Sequence, residues 1–121
     1  MYYQKNTYYN VKKQGKYDSK FEAGKGQELE LLLKAKQIKG FDTQVKIPLV
    51  VNGYHLCNYY IDFVIYHLNG TTEYLETKGL ATDVWKLKWK LFEALYSDIP
   101  DNILTVEYQG KSWKPQRRKV K

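Results

Sequence analysis

The chain has 121 residues, 43% of them hydrophobic, which supplies one ordinary core and excludes both a second large domain and disorder throughout. Twenty Lys and Arg stand against 13 Asp and Glu, for a formal net charge of +7. A lone Cys57 excludes an internal disulfide, one Cys with two separated His excludes a structural zinc site, and no apolar run is long enough for a transmembrane helix.

No hydrophobic stretch follows Met1-Tyr2-Tyr3-Gln4-Lys5, so the sequence predicts no secretory signal and a cytoplasmic location. The charge is uneven. A body of residues 1–110 is followed by a basic tail, 111–121, with Lys111, Lys114, Arg117, Arg118, Lys119 and Lys121. Residues 17–110 hold all the acidic groups and are net negative. A mildly acidic body with basic ends suits a polyanion-binding protein that also needs a carboxylate cluster; a solvated, solubilising tail is the plainer reading.

Residues 8–18 read as a hairpin turning at Gln14-Gly15, with tyrosines interleaved among lysines. A first helix is predicted over Lys20–Gln37. Ser19 and Glu22 have capping-box spacing, and Gly40 is the stop. Phe21, Leu29, Leu31, Leu32, Leu33 and Ala35 form its apolar arc, with Glu22 and Glu28 inside the arc and Glu30 outside. Gly24 and Gly26 weaken its first turns or allow a close approach. Strands are expected over 44–51, 54–68 and 72–77, divided by the turns Asn52-Gly53 and Asn69-Gly70. A second helix is expected over 84–96, capped by Thr82 or Asp83, with Val84, Leu87, Leu91 and Leu95 as its core stripe. A last strand covers 103–108. The order predicts an α/β (α+β) domain, a small central mixed sheet with a helix on each side.

Asp62 interrupts the otherwise apolar Tyr59-Tyr60-Ile61-Asp62-Phe63-Val64-Ile65-Tyr66, where a carboxylate is costly unless a cation or donors meet it. In Glu76-Thr77-Lys78, the acid and the lysine point to one face of an extended strand. A two-residue loop at Asn69-Gly70 turns Glu76 away from Asp62. An odd loop such as Asn69 to Thr71, pairing residues whose numbers sum to 140, puts Asp62, Glu76 and Lys78 on one face. Two or three carboxylates on hard oxygen-seeking Mg²⁺ beside a lysine suit metal-assisted phosphodiester hydrolysis. Asp62, Glu76 and the Thr77 carbonyl are the candidate ligands, Glu22 a third carboxylate, and Lys78 the group that offsets transition-state charge.

Asp62 followed by Glu76-Thr77-Lys78 resembles the signature of the PD-(D/E)XK nuclease superfamily. Tyr17-Asp18-Ser19-Lys20-Phe21-Glu22-Ala23, Tyr59-Tyr60-Ile61-Asp62-Phe63, and Thr82 followed by Trp85-Lys86-Leu87-Lys88-Trp89-Lys90-Leu91-Phe92 are similar to a family of small phage-encoded endonucleases related to Holliday junction resolvases. The likeness spans roughly residues 8–108. It implies a restriction-endonuclease-like core, Mg²⁺ dependence with Mn²⁺ as a substitute, branched DNA as substrate, the cytoplasm of a bacterial host, and Glu22, Asp62, Glu76 and Lys78 as catalytic residues. Ile61 stands where the superfamily pattern has proline, and Glu28 is the alternative to Glu22 as the helix carboxylate. No nucleotide cofactor or membrane partner is expected. Symmetric cutting of a four-way junction needs two sites, which implies a homodimer.

Plainer readings stand beside these. Glu22 also fits a helix cap, and Asp62 with Lys78 a cross-strand ion pair. Lys86, Lys88 and Lys90 fit either a phosphate-contacting face, together with Lys111, Lys114, Arg117 and Arg118, or a solvated helix face. Gln44 reads as a helper of the site or, more plainly, as satisfying a strand edge, and His55, His67 and Cys57 as structural. The rival functions are a non-catalytic DNA-binding module on a nuclease-like fold, and a basic RNA-binding protein.

Overall fold

The structure is a computed structural model, and it describes residues 20–78 and 81–108. The expected hairpin at 8–18, the Ser19 cap and the tail 111–121 lie outside the described residues. The elements run α1 (Lys20–Lys34), β1 (Ile38–Val51), β2 (Tyr54–His67), β3 (Thr72–Lys78), α2 (Asp83–Tyr96) and β4 (Asn102–Tyr108). The four strands lie in chain order. β1 and β3 are antiparallel to β2, and β4 is parallel to β3 across the α2 crossover. Among the described residues this is an α+β domain with a mixed sheet and two helices. Among the described residues no helix is long and apolar enough to cross a membrane.

The helices cover opposite faces, because successive strand residues point to opposite sides. Leu29 of α1 packs with Ile38, Phe41, Phe63, Ile65 and Leu75. Trp85, Trp89 and Phe92 of α2 pack with Ile47, Leu49, Tyr59, Ile61 and Val64. The alternation contains a break. On β2, Ile61 and Val64 both face α2 although they are three residues apart. On β1, Phe41 faces α1 while Ile47 faces α2. The pairing stays in step through this stretch, from Thr43–Phe63 to Val45–Ile61, so both strands change face together. Gln44 sits at that place with a left-handed φ of 50°.

Four sequence expectations need correction. The first helix ends at Lys34, not Gln37, because Lys36 turns left-handed and the Gln37 N–H closes back on the Leu32 carbonyl at 2.8 Å, a Schellman-type stop. The freed chain starts β1 six residues earlier than expected, burying Ile38 and Phe41. Within α1, Glu22, Gly26 and Leu29 are buried, whereas Leu31 and Glu28 are exposed, as is Ala35 just beyond its end. The expected core stripe of α2 holds only in its second half, where Leu91 and Leu95 pack against the core. Val84 is 67% and Leu87 70% exposed, and the buried line is Trp85, Trp89 and Phe92, an i, i+4, i+7 spacing. The aromatic line wins because each ring buries more apolar area than an aliphatic side chain. Thr82 caps α2 as expected, its hydroxyl accepting from the Trp85 N–H at 3.2 Å.

Candidate active site

The loop from β2 to β3 fixes the site. The His67 N–H bonds the Thr71 carbonyl at 3.0 Å, which leaves Leu68, Asn69 and Gly70 as a three-residue loop, with Gly70 at φ 93°. An odd loop was required, but it lies one residue earlier than expected, so the paired numbers sum to 138, as in Phe63–Leu75 and Tyr66–Thr72. Continued by one step, that register sets Asp62 opposite Glu76.

The ladder stops short of that step. After Phe63–Leu75, β3 continues on β4 as far as Lys78–Tyr108, and side chains replace the β2–β3 main-chain bonds. Asp62 Oδ2 accepts from the Thr77 N–H and from Thr77 Oγ1, both at 2.9 Å. Glu76 Oε1 accepts from the Asp62 N–H at 3.4 Å. At this fork each strand's carboxylate therefore takes an N–H of the other strand. Main-chain groups that the sheet no longer pairs are satisfied, and two acids are fixed side by side.

Other elements complete the surroundings. Glu22, on the first turn of α1 and 3% exposed, receives the Gln44 amide at 2.6 Å, and the same Nε2 lies 3.1 Å from Asp62 Oδ1. On the α2 side, Glu76 Oε2 accepts from Trp85 Nε1 at 3.1 Å, a nitrogen that also lies 3.1 Å from the Tyr59 hydroxyl. Lys78 Nζ is 3.6 Å from Glu76 Oε2 and 4.8 Å from the centre of the Trp85 ring, a cation–π contact. Lys78 is thus tied to Glu76 directly and through their shared tryptophan.

Burial dominates the electrostatics. Asp62 is raised above the ordinary aspartate value by burial, against which the Thr77 and Gln44 hydrogen bonds and the Lys78 charge work. Glu76 is pushed up to about 8 by burial and then by the Asp62 charge, with Lys78 opposing. Burial, and next the Glu76 charge, raise the Tyr59 hydroxyl as well.

Two buried carboxylates that raise proton affinity are a donor set that a hard divalent cation fits, since it would offset both desolvation and mutual repulsion. Asp62 and Glu76 would hold it. Thr77 is buried beside them with its N–H and hydroxyl turned onto Asp62, and Glu22 stands across the Gln44 amide. Among the described residues no three His, Cys, Asp or Glu side chains are grouped to hold a metal ion.

The other sequence candidates are dispersed. Glu28 lies at the surface, paired at 3.2 Å with Lys25, which also reaches Glu107 of β4 at 3.0 Å. Lys86 and Lys88 are half-buried and Lys90 is exposed on α2. Lys88 Nζ is 3.4 Å from the Asn58 carbonyl. Lys111, Lys114, Arg117 and Arg118 lie outside the described residues. His67 pairs with Glu73 at 2.8 Å, and the His55 ring shares a 2.9 Å bond with Asn58. Sequence reasoning weighed Gln44 as a helper of the site but favoured a strand-edge role, and it gave Tyr59 and Trp85 no place in the carboxylate network.

With this geometry in place, residues 3–110 match the family described as Protein of unknown function (DUF1064). The chain belongs to the DUF1064 family. No curated protein and no solved structure matches it. The DUF1064 match spans all the described elements, so the fork, its lysine and the left-handed Gln44 lie within the family domain.

Proposed function

We propose that this DUF1064 protein is a Mg²⁺-dependent endodeoxyribonuclease on a PD-(D/E)XK-type core, hydrolysing phosphodiester bonds in branched DNA of the Holliday-junction kind. One observation carries the reading. Two buried carboxylates, Asp62 and Glu76, stand opposite each other at the fork of β2 and β3, with Lys78 3.6 Å from Glu76. A purely structural ion pair would need one acid. A second acid beside the first is costly, and a site that binds a divalent cation recovers that cost.

In this reading Asp62 and Glu76 would hold the ion, with Mn²⁺ as a substitute, and Glu22, which stands across the Gln44 amide, would be the third carboxylate of the site rather than part of a preformed three-acid cluster. The bound ion supplies polarisation of the phosphate and a more acidic water. Asp62 is kept in place by two Thr77 donors, and Glu76 by the Trp85 indole. Lys78 offsets the negative charge that grows on the phosphoryl oxygens. The water loses a proton as its oxygen bonds to phosphorus, one P–O ester bond breaks, and the leaving oxygen takes up a proton. Lys86, Lys90 and the basic tail supply phosphate contacts, and two copies of the chain present two sites to a junction. A phage protein acting in the host cytoplasm fits this chemistry.

The test incubates the protein with a four-way junction, a linear duplex and a single strand, with Mg²⁺ or EDTA. Mg²⁺-dependent cutting of the junction that Asp62→Asn abolishes while DNA binding persists is the expected result. Binding with no cutting under Mg²⁺, Mn²⁺ or Co²⁺ makes the protein a DNA-binding module instead. Preference for RNA over every DNA form rejects both.

A further inference from the structure

Gln44 touches the carboxylates of two different elements. Its Nε2 lies 2.6 Å from Glu22 Oε2 on α1 and 3.1 Å from Asp62 Oδ1 on β2. A primary amide nitrogen carries two hydrogens, one for each acid, and bonds from a neutral donor to an anionic acceptor are among the stronger ones. The aim of this amide is set by backbone. Gln44 has φ 50°, a left-handed conformation that disfavours any residue with a Cβ, in the middle of a 14-residue strand. At the same place β1 and β2 change face together. A regular strand would leave residue 44 facing the same side as Asp42, whose carboxylate meets the Tyr66 hydroxyl at 3.0 Å. The irregularity brings a side chain from β1 to the helix that carries Glu22.

We propose that Gln44 is a positioning residue of the candidate active site: its amide ties the Glu22 carboxylate of α1 to the Asp62 carboxylate at the fork, and so sets where the helix-borne acid stands. The consequence for catalysis rests on the hydrolase reading above, whereas the tie itself does not. Strain in a strand that a glycine would relieve is retained because only a long amide spans both acids. Glycine has no amide, and asparagine is one methylene shorter.

Two measurements on the full-length protein test this. The first is a double-mutant cycle in thermal unfolding, pairing Gln44→Ala with Glu22→Gln. Coupled shifts, with Glu22→Gln costing less once Gln44 is gone, support the tie; additive shifts overturn it. The second compares Gln44→Gly with wild type in Mg²⁺-dependent junction cleavage. Glycine accepts the left-handed backbone, so its melting temperature reports whether the fold is retained. The expected result is a fall in kcat of roughly 10- to 100-fold with KM for DNA unchanged and the fold intact. Wild-type turnover by Gln44→Gly overturns the positioning role. Should wild type itself cut nothing with any divalent ion, the hydrolase reading fails, and the unfolding cycle still decides the tie.

Discussion

Glu76 holds its proton to about pH 8 because it is buried beside Asp62. An unfolded chain releases that proton near the ordinary glutamate value of 4.5. Between these values the native state binds a proton that the unfolded state has lost, so stability is fullest below the lower value and drains away as pH rises through the upper one. Asp62 is shifted in the same direction and adds to the slope. The metal-free protein should therefore melt at progressively lower temperature from about pH 5 to about pH 8, and Glu76→Gln should flatten the curve. A melting temperature that climbs over that interval contradicts the assignment. Asp62 was legible in the sequence because a carboxylate inside an apolar strand needs an explanation, and Glu76 with Lys78 because strand alternation puts them on one face. The bonds that Gln44 and Trp85 make to the carboxylates were not, since a left-handed φ and a bond between β3 and α2 are products of the assembled fold. Even the register of Asp62 against Glu76 turned on whether Leu68 or Thr71 joined the loop, which local turn propensity does not decide.

For the elements, α2 offers the sharpest contrast. Trp89 is 1% exposed and lies between Trp85 and Phe92, with ring centroids at 5.9 and 5.6 Å. Trp89→Ala should cost about 3–5 kcal/mol in chemical denaturation. Val84→Ala and Leu87→Ala, on the outer face, should stay within about 0.5 kcal/mol of wild type. The sequence carried two competing stripes on this helix, one aliphatic and one aromatic, and periodicity alone could not choose between them. Gly24 of α1 makes a complementary case. A Cβ built there meets nothing within 4 Å, so the residue is not reserving space for a neighbour. Gly24→Ala should raise stability by about 0.5–1 kcal/mol through helix propensity, measured in the same denaturation experiment. An unchanged or lowered midpoint would mean that α1 is not an ordinary helix at this turn.

At the level of the whole molecule, the site is assembled from four elements distant in sequence: α1 brings Glu22, β1 Gln44, β2 Asp62, and β3 Glu76 and Lys78. The order of elements, the mixed sheet and the helix on each face were readable, because hydrophobic period and turn residues act locally. The early start of β1 and the stop of α1 were not, because burial of Ile38 and Phe41 outweighs the helical pattern that runs on to Gln37. The basic tail belongs to this scale too. Deleting residues 111–121 removes six positive charges and should reduce the slope of log affinity for DNA against log salt by up to about five, read by filter binding across salt concentrations. An unaltered slope would take the tail out of the interface.

β3 pairs with β2 only along Phe63–Tyr66, so among the described residues no strand lies along the far side of β2 from Tyr54 to Ile61. A bare strand flank is a template on which another polypeptide can add itself, the usual beginning of aggregation. Lys88 reaches this flank from α2, its ammonium at the Asn58 carbonyl, and puts a positive charge where an incoming strand would dock. Among the described residues the fork thus leaves a flank open to self-association, and the lysine that the sequence offered to DNA stands as its gatekeeper.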